Sequence, residues 1–260
     1  MCMIAAKRDP LTHIILPAYN EEASLPNLLA RLETLQCGSN ARILTWVVDD
    51  GSTDSTADII CKGLNGLDVR SVTHMTNLGL GQALMTGIIS VLEVSADNDV
   101  IIVMDADDTH DVNLIIPMGR EIESGADIVI ASRFVPGGDH STAPLLRRLL
   151  SRGAAFTFKT ILPISNVRDF TSGYRAYKAS LLSRALRHWG ERLIEEHGFA
   201  CMVEVLLKLR HFDPVIQELP MVLRYDRKLG LSKLKLSKTL IQYLKLALRD
   251  RISPPARRPI

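Results

Sequence analysis

At residues 99–110 the chain reads DVIIVMDADDTH, a short apolar run that ends in a cluster of carboxylates. Val100 to Met104 is rich in β-branched residues and lacks polar alternation, which is typical of a strand buried on both faces. Side chains alternate between the faces of a strand, so Asp105 and Asp107 can project to the same side at its carboxyl end. Two carboxylates this close repel each other unless a cation lies between them. We therefore expect Mg2+ or Mn2+ here, although an isolated Asp-x-Asp is also common in solvated turns.

This stretch is the fourth in a series of apolar runs that alternate with helical patterns. Strand patterns lie at residues 13–16, 43–48, 69–73, 100–104 and 127–131, and helical patterns lie at 21–35, after 54 up to 60, after 81 up to 94, and at 113–124. Pro17 is expected to end the first strand, since proline cannot donate a backbone hydrogen bond. The alternation predicts an α/β domain in which helices flank a mostly parallel central sheet.

Composition and charge limit the possible functions. The chain has 260 residues, of which 47% are hydrophobic, enough for one large α/β domain or a domain with a tail. The net charge is only +2, but residues 224–260 contain eleven Lys and Arg against two Asp and Glu, a local +9 that leaves −7 elsewhere. This asymmetry predicts a basic surface near the carboxyl terminus for an acidic partner. Neither GxGxxG after the first strand nor GxxxxGK[ST] occurs, which disfavours dinucleotide cofactors and P-loop NTPases.

The cysteines and the apolar runs indicate the cellular compartment of the protein. The four cysteines are scattered without a CxxC pair, which is typical of reduced intracellular thiols. Residues 1–10 lack the apolar core of a signal peptide, and no run approaches the roughly 18 apolar residues of a membrane span. We expect a cytoplasmic protein without a transmembrane segment.

Polar segments follow three of the predicted strands: residues 19–21 (YNE), 49–52 (DDGS) and 105–107 (DAD). Ligands of parallel α/β sheets bind beyond the carboxyl ends of the strands, so these segments are expected to converge. Acidic side chains bind ribose hydroxyls and base amines, and a metal can cover phosphates, so the convergence suggests a nucleotide site. The pair Gly79-x-Gly81 fits either a turn that approaches a phosphate or a plain helix entry.

These segments resemble the motif series of family 2 glycosyltransferases with the GT-A fold. The resemblance rests on residues 16–22 (LPAYNEE), 47–54 (VVDDGSTD), 77–81 (NLGLG) and 105–107 (DAD). Within that family the chain is most similar to dolichol-phosphate and polyprenol-phosphate mannosyltransferases. Later segments extend the similarity to about residues 11–233: they lie at residues 131–134, 169–175, 198–204 and 227–233.

The resemblance implies a nucleotide-sugar donor, commonly GDP-mannose, and a dolichyl or polyprenyl phosphate acceptor, with inversion at the anomeric carbon. The implied donor-binding residues are Pro17, Tyr19, Glu21, Asp50, Asp105, Ala106 and Asp107. The implied ligands of Mg2+ or Mn2+ are Asp105, Asp107 and Thr109. Relatives usually carry Leu and then Gln after the second aspartate, whereas this chain carries Asp108 and the shorter Thr109. The third metal contact therefore departs from the family pattern.

A phosphate acceptor changes what catalysis requires. A phosphate monoester is largely dianionic at pH 7, so it can attack without a general base, which a sugar hydroxyl would need. The residues expected to carry the reaction are Asp107, Arg133, Arg147, Ser151, Arg227 and Lys233. Arg147 and Ser151 lie one helical turn apart in the pattern of residues 145–160, which also fits an ordinary amphipathic surface helix. Arg175 is expected to tie down the loop of residues 169–173.

Other functions stay open. The donor could be UDP-glucose or another nucleotide sugar, and the acceptor a soluble glycan, in which case Asp169 is the candidate base. A nucleotide-sugar sensor without activity is disfavoured because the metal carboxylates are intact. Few aromatic residues interleave with the basic tail, so we expect no nucleic-acid partner.

The carboxyl-terminal part is expected to differ from the rest of the chain. Residues 1–225 would form the catalytic domain, and residues 226–260 a basic acceptor loop, an amphipathic helix and a tail. The helical pattern of residues 234–251 has an apolar stripe: Leu240, Ile241, Leu244, Ala247 and Leu248. We expect this helix to lie on an anionic membrane surface, so that the protein is peripherally membrane-associated. The alternative is that the helix packs against the catalytic domain.

Overall fold

A computed structural model describes residues 9–39, 41–63, 66–139, 141–142, 153, 164, 166–229, 242–243 and 245–246. The strands in this part of the chain are β1 Thr12–Ala18, β2 Ile43–Asp49, β3 Val69–Thr73, β4 Val100–Val103, β5 Ile128–Ser132, β6 Arg175–Lys178 and β7 Ile216–Pro220. The α-helices are α1 Leu25–Cys37, α2 Thr56–Lys62, α3 Leu80–Leu92, α4 Ile115–Glu123, α5 Ala179–Trp189 and α6 Cys201–Leu209. Short 3-10 helices lie at Val112–Leu114, Gly190–Leu193, Arg210–Phe212 and Tyr225–Arg227.

The strands form one sheet in the order β3-β2-β1-β4-β6-β5-β7. Only β6 is antiparallel to its neighbours β4 and β5 among the strands that the structure describes. The other pairings are parallel, so their carboxyl ends share one edge of the sheet. The prediction of a mostly parallel α/β sheet is confirmed, and the elements from β6 onward add to it.

The core lies on both faces of the sheet. Ile101 and Val103 pack in one cluster with side chains of α3, α5 and α6, while Val100 and Ile102 pack in a second cluster with α1 and α4. All four side chains are buried, which explains why β4 shows no polar alternation. Its continuous apolar sequence delivers the acidic turn that follows to the edge of the sheet.

The prediction that Pro17 ends the first strand is wrong, because β1 continues to Ala18. β4 pairs with β1 only from Thr12 to Ile15, so the missing N–H of Pro17 falls beyond that ladder and costs no strand hydrogen bond. The first helix begins at Leu25 rather than at Glu21, since the Glu21 carbonyl accepts from Ser24 and Leu25 in a preceding turn.

No helix of the described residues is long and apolar enough to span a bilayer. The predicted boundary after residue 225 falls inside the 3-10 turn Tyr225–Arg227, and the division into a catalytic domain and a basic extension stays a prediction.

Candidate active site

The ends of β1 and β2 are joined by hydrogen bonds between their polar segments. The backbone N–H of Asn20 donates to Ser52 Oγ (2.9 Å), and Asn20 Oδ1 accepts from the N–H of Thr53 (2.8 Å). The N–H of Glu21 donates to Thr56 Oγ1 (2.8 Å). Two of the predicted polar segments therefore form one rigid rim, on which Pro17, Tyr19 and Glu21 are half-buried.

Asp50, predicted to hold the nucleoside, positions the loop after β3. Its Oδ1 accepts from the N–H of Leu78 (2.9 Å) and contacts His74 Nδ1 (2.8 Å), and its Oδ2 accepts from the N–H of Gly79 (2.8 Å). Asp50 is buried, and His74 is fixed in turn by Thr86 (3.0 Å). Both carboxylate oxygens of Asp50 thus fix residues 74–79 of the protein itself, and its contact with a nucleoside stays a prediction.

The two glycines of NLGLG allow close approach of a second backbone segment. Gly79 has a φ of +95°, and a Cβ there would lie 2.5 Å from the carbonyl oxygen of His197. A Cβ at Gly81 would lie 1.9 Å from the carbonyl oxygen of Glu196, while the N–H of Gly81 donates to His197 (3.1 Å). Of the two interpretations of this pair, a helix entry packed against residues 196–197 is the one that the contacts support.

Residues 195 and 196 are held in place by the carboxylate of Glu204, to which the sequence analysis gave no role. Glu204 on α6 is buried and accepts from the N–H groups of Glu195 (2.9 Å) and Glu196 (2.8 Å). Lys208, one turn later on the same helix, donates to Glu204 Oε1 (2.8 Å). The i, i+4 spacing of the pair was the available sequence signal.

The acidic turn after β4 is arranged around Asp107. Its Oδ1 accepts from the hydroxyl (2.7 Å) and the N–H (3.2 Å) of Thr109, and its Oδ2 accepts from Lys228 Nζ. Burial opposes ionisation of Asp107, but the charges of Lys228 and His110 and these hydrogen bonds outweigh it and lower its pKa. Asp107 is therefore a carboxylate at neutral pH, and the hydrogen bond from Thr109 stabilises this ionised form.

Asp108, the residue that departs from the family pattern, points to α1. It has a left-handed backbone (φ 58°) and accepts a hydrogen bond from Arg31 Nη1. Arg31 Nη2 also lies 3.5 Å from Asp111. The additional negative charge is thus neutralised by Arg31, an ion pair that joins positions 77 residues apart and has no local sequence signal.

The carboxylates of this turn fit a divalent cation that is also coordinated by a phosphate. Within the described ranges no group of three or more His, Cys, Asp and Glu side chains is arranged to hold a metal. Asp105, with a third of its side chain exposed, and the ionised Asp107 flank the buried Ala106. Mg2+ is usually bound by one or two carboxylates together with substrate phosphates, which matches this set. That Lys228 already lies on Asp107 shows that the position accepts positive charge.

The sequence predicted that Arg133 faces an acceptor, but the structure places its guanidinium group on Asp169. Its Nε and Nη2 donate to the two oxygens of Asp169 (2.7 and 2.6 Å), and Nη2 also donates to Thr171. Asp169 is fully buried and accepts further from the N–H groups of Arg133 and Ser172. Burial alone would raise the pKa of Asp169, but Arg133 outweighs it and lowers that pKa. A buried carboxylate of lowered pKa is a poor general base, so the geometry disfavours Asp169 in that role.

Arg175 confirms its predicted structural role. It is fully buried and donates to the carbonyl oxygens of Phe170 (2.7 Å) and Met202 (2.6 Å). It therefore ties the loop of residues 169–173 to α6.

The remaining predicted acceptor residues fall into two groups. Arg147, Ser151 and Lys233 lie outside the described residues. Arg227 lies in the 3-10 turn, and its Nη1 is buried with no hydrogen-bond partner among the residues that the structure describes. Sequence reasoning did not single out the next residue, Lys228, because its partner Asp107 is 121 residues away.

Part of the carboxyl-terminal helical pattern packs against the domain. Leu246 is buried in the core cluster of α3, α5 and α6, and Tyr243 packs beside it. Gln242 Nε2 donates to Glu196 Oε2 (3.3 Å). These contacts follow the alternative of packing against the catalytic domain, while the apolar stripe of Leu240, Ile241, Leu244, Ala247 and Leu248 lies outside the described residues.

Comparison with known proteins gives one family and one fold. Residues 13–186 match the sequence pattern of Glycosyl transferase family 2. The chain is 33% identical to the dolichol-phosphate mannosyltransferase of Pyrococcus furiosus over 233 residues, 89% of this chain and 61% of that protein. It thus spans about three fifths of that relative's length. It is 34% identical to the undecaprenyl-phosphate mannosyltransferase of Micrococcus luteus over 85% of this chain and 86% of that protein.

A solved structure resembles the whole described fold. It is the glucosyl-3-phosphoglycerate synthase of Mycobacterium tuberculosis in complex with Mn2+, UDP and glucosyl-3-phosphoglycerate, with a TM-score of 0.62 at 18% identity. The match covers 95% of this chain and 82% of the synthase. The same synthase has also been crystallised with Mg2+ and UDP. At this identity the likeness concerns the fold.

Proposed function

The chain belongs to glycosyl transferase family 2 and has the GT-A fold, and from this membership we propose that it transfers mannose from GDP-mannose to a polyprenyl phosphate. The names of the two relatives, at 33% and 34% identity, support an isoprenoid phosphate as the acceptor class. The proposed product is a lipid phosphate that carries mannose with inverted anomeric configuration.

One observation carries the proposal: the basic segment 224–229 lies directly on the acidic turn. Lys228 Nζ donates to Asp107, and the N–H of Arg224 donates to the carbonyl oxygen of Thr109 (2.9 Å). An anion held by this segment would therefore lie beside a diphosphate held at Asp105 and Asp107. Donor and acceptor phosphates are the two anions that this reaction brings together.

On the donor side, we assign the nucleoside to the rim formed by Pro17, Tyr19 and Glu21, with Asp50 and Ala106 beside it. Asp105 and Asp107, with the Thr109 hydroxyl adjoining, would hold Mg2+ or Mn2+. A divalent cation bound there would neutralise the charge that develops on the departing diphosphate. Thr109 holds the Asp107 carboxylate in position from the other side through Oδ1.

On the acceptor side, the phosphate dianion needs cationic positioning rather than a base. Arg227 offers a buried Nη1 with no partner among the described residues. The contacts of Arg133 with Asp169 use Nε and Nη2, and within the described part of the chain its Nη1 is left for a further acceptor. We assign Arg147, Ser151 and Lys233 to the same pocket from the sequence. The burial and lowered pKa of Asp169 leave the soluble-glycan alternative without its candidate base.

The same acceptor implies a membrane surface. Leu229 and Val222 are exposed apolar residues on either side of the basic turn, a pattern suited to a lipid headgroup boundary. We propose that the protein acts from the cytoplasmic side as a peripheral enzyme, with residues 226–260 contributing basic charge toward anionic lipids.

The direct test is to incubate the full chain with Mg2+ or Mn2+, vesicles containing polyprenyl phosphate, and either GDP-mannose or UDP-glucose. Mass spectrometry of the lipid extract should show mannosyl phosphoryl polyprenol, formed fastest from GDP-mannose. A hexosyl product from UDP-glucose alone would replace the donor assignment, and faster transfer to soluble glycans would overturn the acceptor assignment.

Glu21→Ala should weaken binding of GDP about tenfold, because a charge-assisted hydrogen bond to the nucleoside is lost. Isothermal titration calorimetry with GDP measures the change, and Glu123→Ala, an exposed carboxylate on α4, is the matched control. Equal GDP affinity in Glu21→Ala and the wild type would refute the placement of the nucleoside at this rim.

Arg227→Ala should lower kcat/KM for polyprenyl phosphate by about ten- to a hundredfold and leave GDP affinity nearly unchanged. The physical reason is that the acceptor phosphate would lose the proposed hydrogen bond from Arg227 Nη1. Arg187→Ala, an exposed arginine on α5, is the control. If kcat/KM is unchanged while transfer proceeds, Arg227 does not contact the acceptor.

A further inference from the structure

Lys228 places a positive charge on the carboxylate that the proposed reaction requires for a metal. Its ammonium group donates to Asp107 Oδ2, and both side chains are only 12% exposed. Asp105 and Glu21 also act on this ammonium group electrostatically. A single lysine therefore contacts Asp107 and lies within electrostatic reach of two further carboxylates of the predicted donor site.

The backbone that leads to Lys228 is fixed over the acidic turn. The N–H of Arg224 donates to Thr109 (2.9 Å), and the N–H of Tyr225 donates to Thr142 Oγ1 (3.0 Å). The N–H of Lys228 itself closes the 3-10 turn on the carbonyl of Tyr225 (3.3 Å). The contact with Asp107 is thus a product of how this segment is docked.

Both oxygens of Asp107 have partners. Thr109 donates to Oδ1 from the same turn, with a hydroxyl and an N–H, whereas Lys228 reaches Oδ2 from a distant segment through a flexible stem. Each carboxylate oxygen can accept more than one contact, so a divalent cation on Asp107 displaces a partner only where charge or space opposes the two together. The lysine is the one that can leave without refolding the turn, and it is also the one that a cation repels.

We propose that Lys228 is the resident counter-ion of Asp107, and that it competes with the divalent cation for this carboxylate until a nucleoside diphosphate gives its ammonium group a new anionic partner. The diphosphate part of this inference rests on the proposed function, while the competition with metal does not. Metal and nucleotide binding are then coupled: each binds more tightly when the other is present. The free chain holds the metal weakly, and the loaded chain places Lys228 on the diphosphate.

The test is a titration of the full chain with Mn2+ in the absence of nucleotide, followed by electron paramagnetic resonance of the free ion. Lys228→Met should bind Mn2+ about ten- to a hundredfold more tightly than the wild type, because the competitor is gone. Lys228→Arg keeps the charge, so its Mn2+ affinity should stay as weak as that of the wild type. Lys62→Met, an exposed lysine on α2, should match the wild type.

Two further variants separate competition from a general field effect. Arg227→Met removes the neighbouring charge without touching Asp107, so its Mn2+ affinity should stay close to that of the wild type. Adding Asp107→Asn to Lys228→Met should abolish the tight binding. A second titration at saturating GDP should show that the wild type gains more Mn2+ affinity from the nucleotide than Lys228→Met does.

Equal Mn2+ affinity in Lys228→Met and the wild type would overturn the proposal. So would an increase of Mn2+ affinity in Arg227→Met as large as that in Lys228→Met. Circular dichroism melting confirms that each variant is folded. The nucleotide-free titration involves neither donor nor acceptor. Tighter Mn2+ binding by Lys228→Met in a chain that forms no glycolipid would therefore uphold the competition and reject the proposed function. Glycolipid formation with unchanged Mn2+ affinity would do the reverse.

Discussion

Asp107→Asn should reduce glycosyl transfer by about a thousandfold or more while leaving the fold intact. Asparagine has the same shape, and its Oδ1 can still accept from the Thr109 hydroxyl, so the turn after β4 keeps its local support. The negative charge that faces Lys228 and the proposed cation is lost. Since the lowered pKa of Asp107 keeps it ionised at neutral pH, the variant removes a full charge under assay conditions.

The measurement is the initial rate of glycolipid formation at saturating Mg2+ or Mn2+, with melting followed by circular dichroism. Asp108→Asn is the matched control, because the adjacent carboxylate is directed to Arg31 and asparagine tolerates its left-handed backbone. Near wild-type turnover of Asp107→Asn at saturating metal would show that this carboxylate does not serve the reaction.

Asp169→Asn should destabilise the protein by about 3–5 kcal/mol, because it leaves Arg133 without the charge that compensates its burial. The fully buried carboxylate accepts from the Arg133 guanidinium at two positions, and from the N–H groups of Arg133 and Ser172. Urea unfolding gives the free energy difference. A double-mutant cycle with Arg133→Met should show strong coupling, so that the double variant costs less than the sum of the single variants.

The pH dependence gives this prediction its sign. Burial acts to raise the pKa of Asp169, yet Arg133 lowers it, so the folded-state pKa lies below the unfolded value of about 3.9. The pair therefore contributes stability that is fully present above the unfolded pKa and is lost as pH falls through the folded pKa. Asp169→Asn should lack this part of the acid sensitivity. Wild-type stability at pH 7, together with lost transfer to a hydroxyl acceptor, would restore Asp169 as a base.

Sequence patterns were sufficient where the determining contacts are local. β4 is recognisable because burial on both faces requires an unbroken apolar run, and Asp105 and Asp107 follow it directly. The prediction for Pro17 was wrong because a proline is excluded from a strand only where a neighbouring strand needs its N–H. Where β4 ends beside β1 is determined by the tertiary structure. A single-residue preference carries no information about where the adjacent strand ends.

The sequence predicts which polar residues follow the strands, but not which contacts they make, and their roles in a site stay predictions. A guanidinium binds a carboxylate and a phosphate with the same fork geometry, so the sequence could not decide between Asp169 and an acceptor as the partner of Arg133. Asp50 meets the N–H of Gly79 and Asp107 meets Lys228 only because separate crossovers of the sheet bring them together. Pattern reasoning identifies the chemistry at each strand end, and the packing decides which groups are already engaged.

The close approach of the Gly79–Gly81 turn to residues 196–197 limits which substitutions the sequence can accept during evolution. Any side chain at position 81 would overlap the Glu196 carbonyl oxygen, and any at position 79 would meet that of His197. An exchange at either glycine is therefore tolerable only if the segment before α6 changes its path at the same time. These two stretches, far apart in the gene, must therefore change together, and a chimera that exchanges one without the other contains a collision between the two backbone segments.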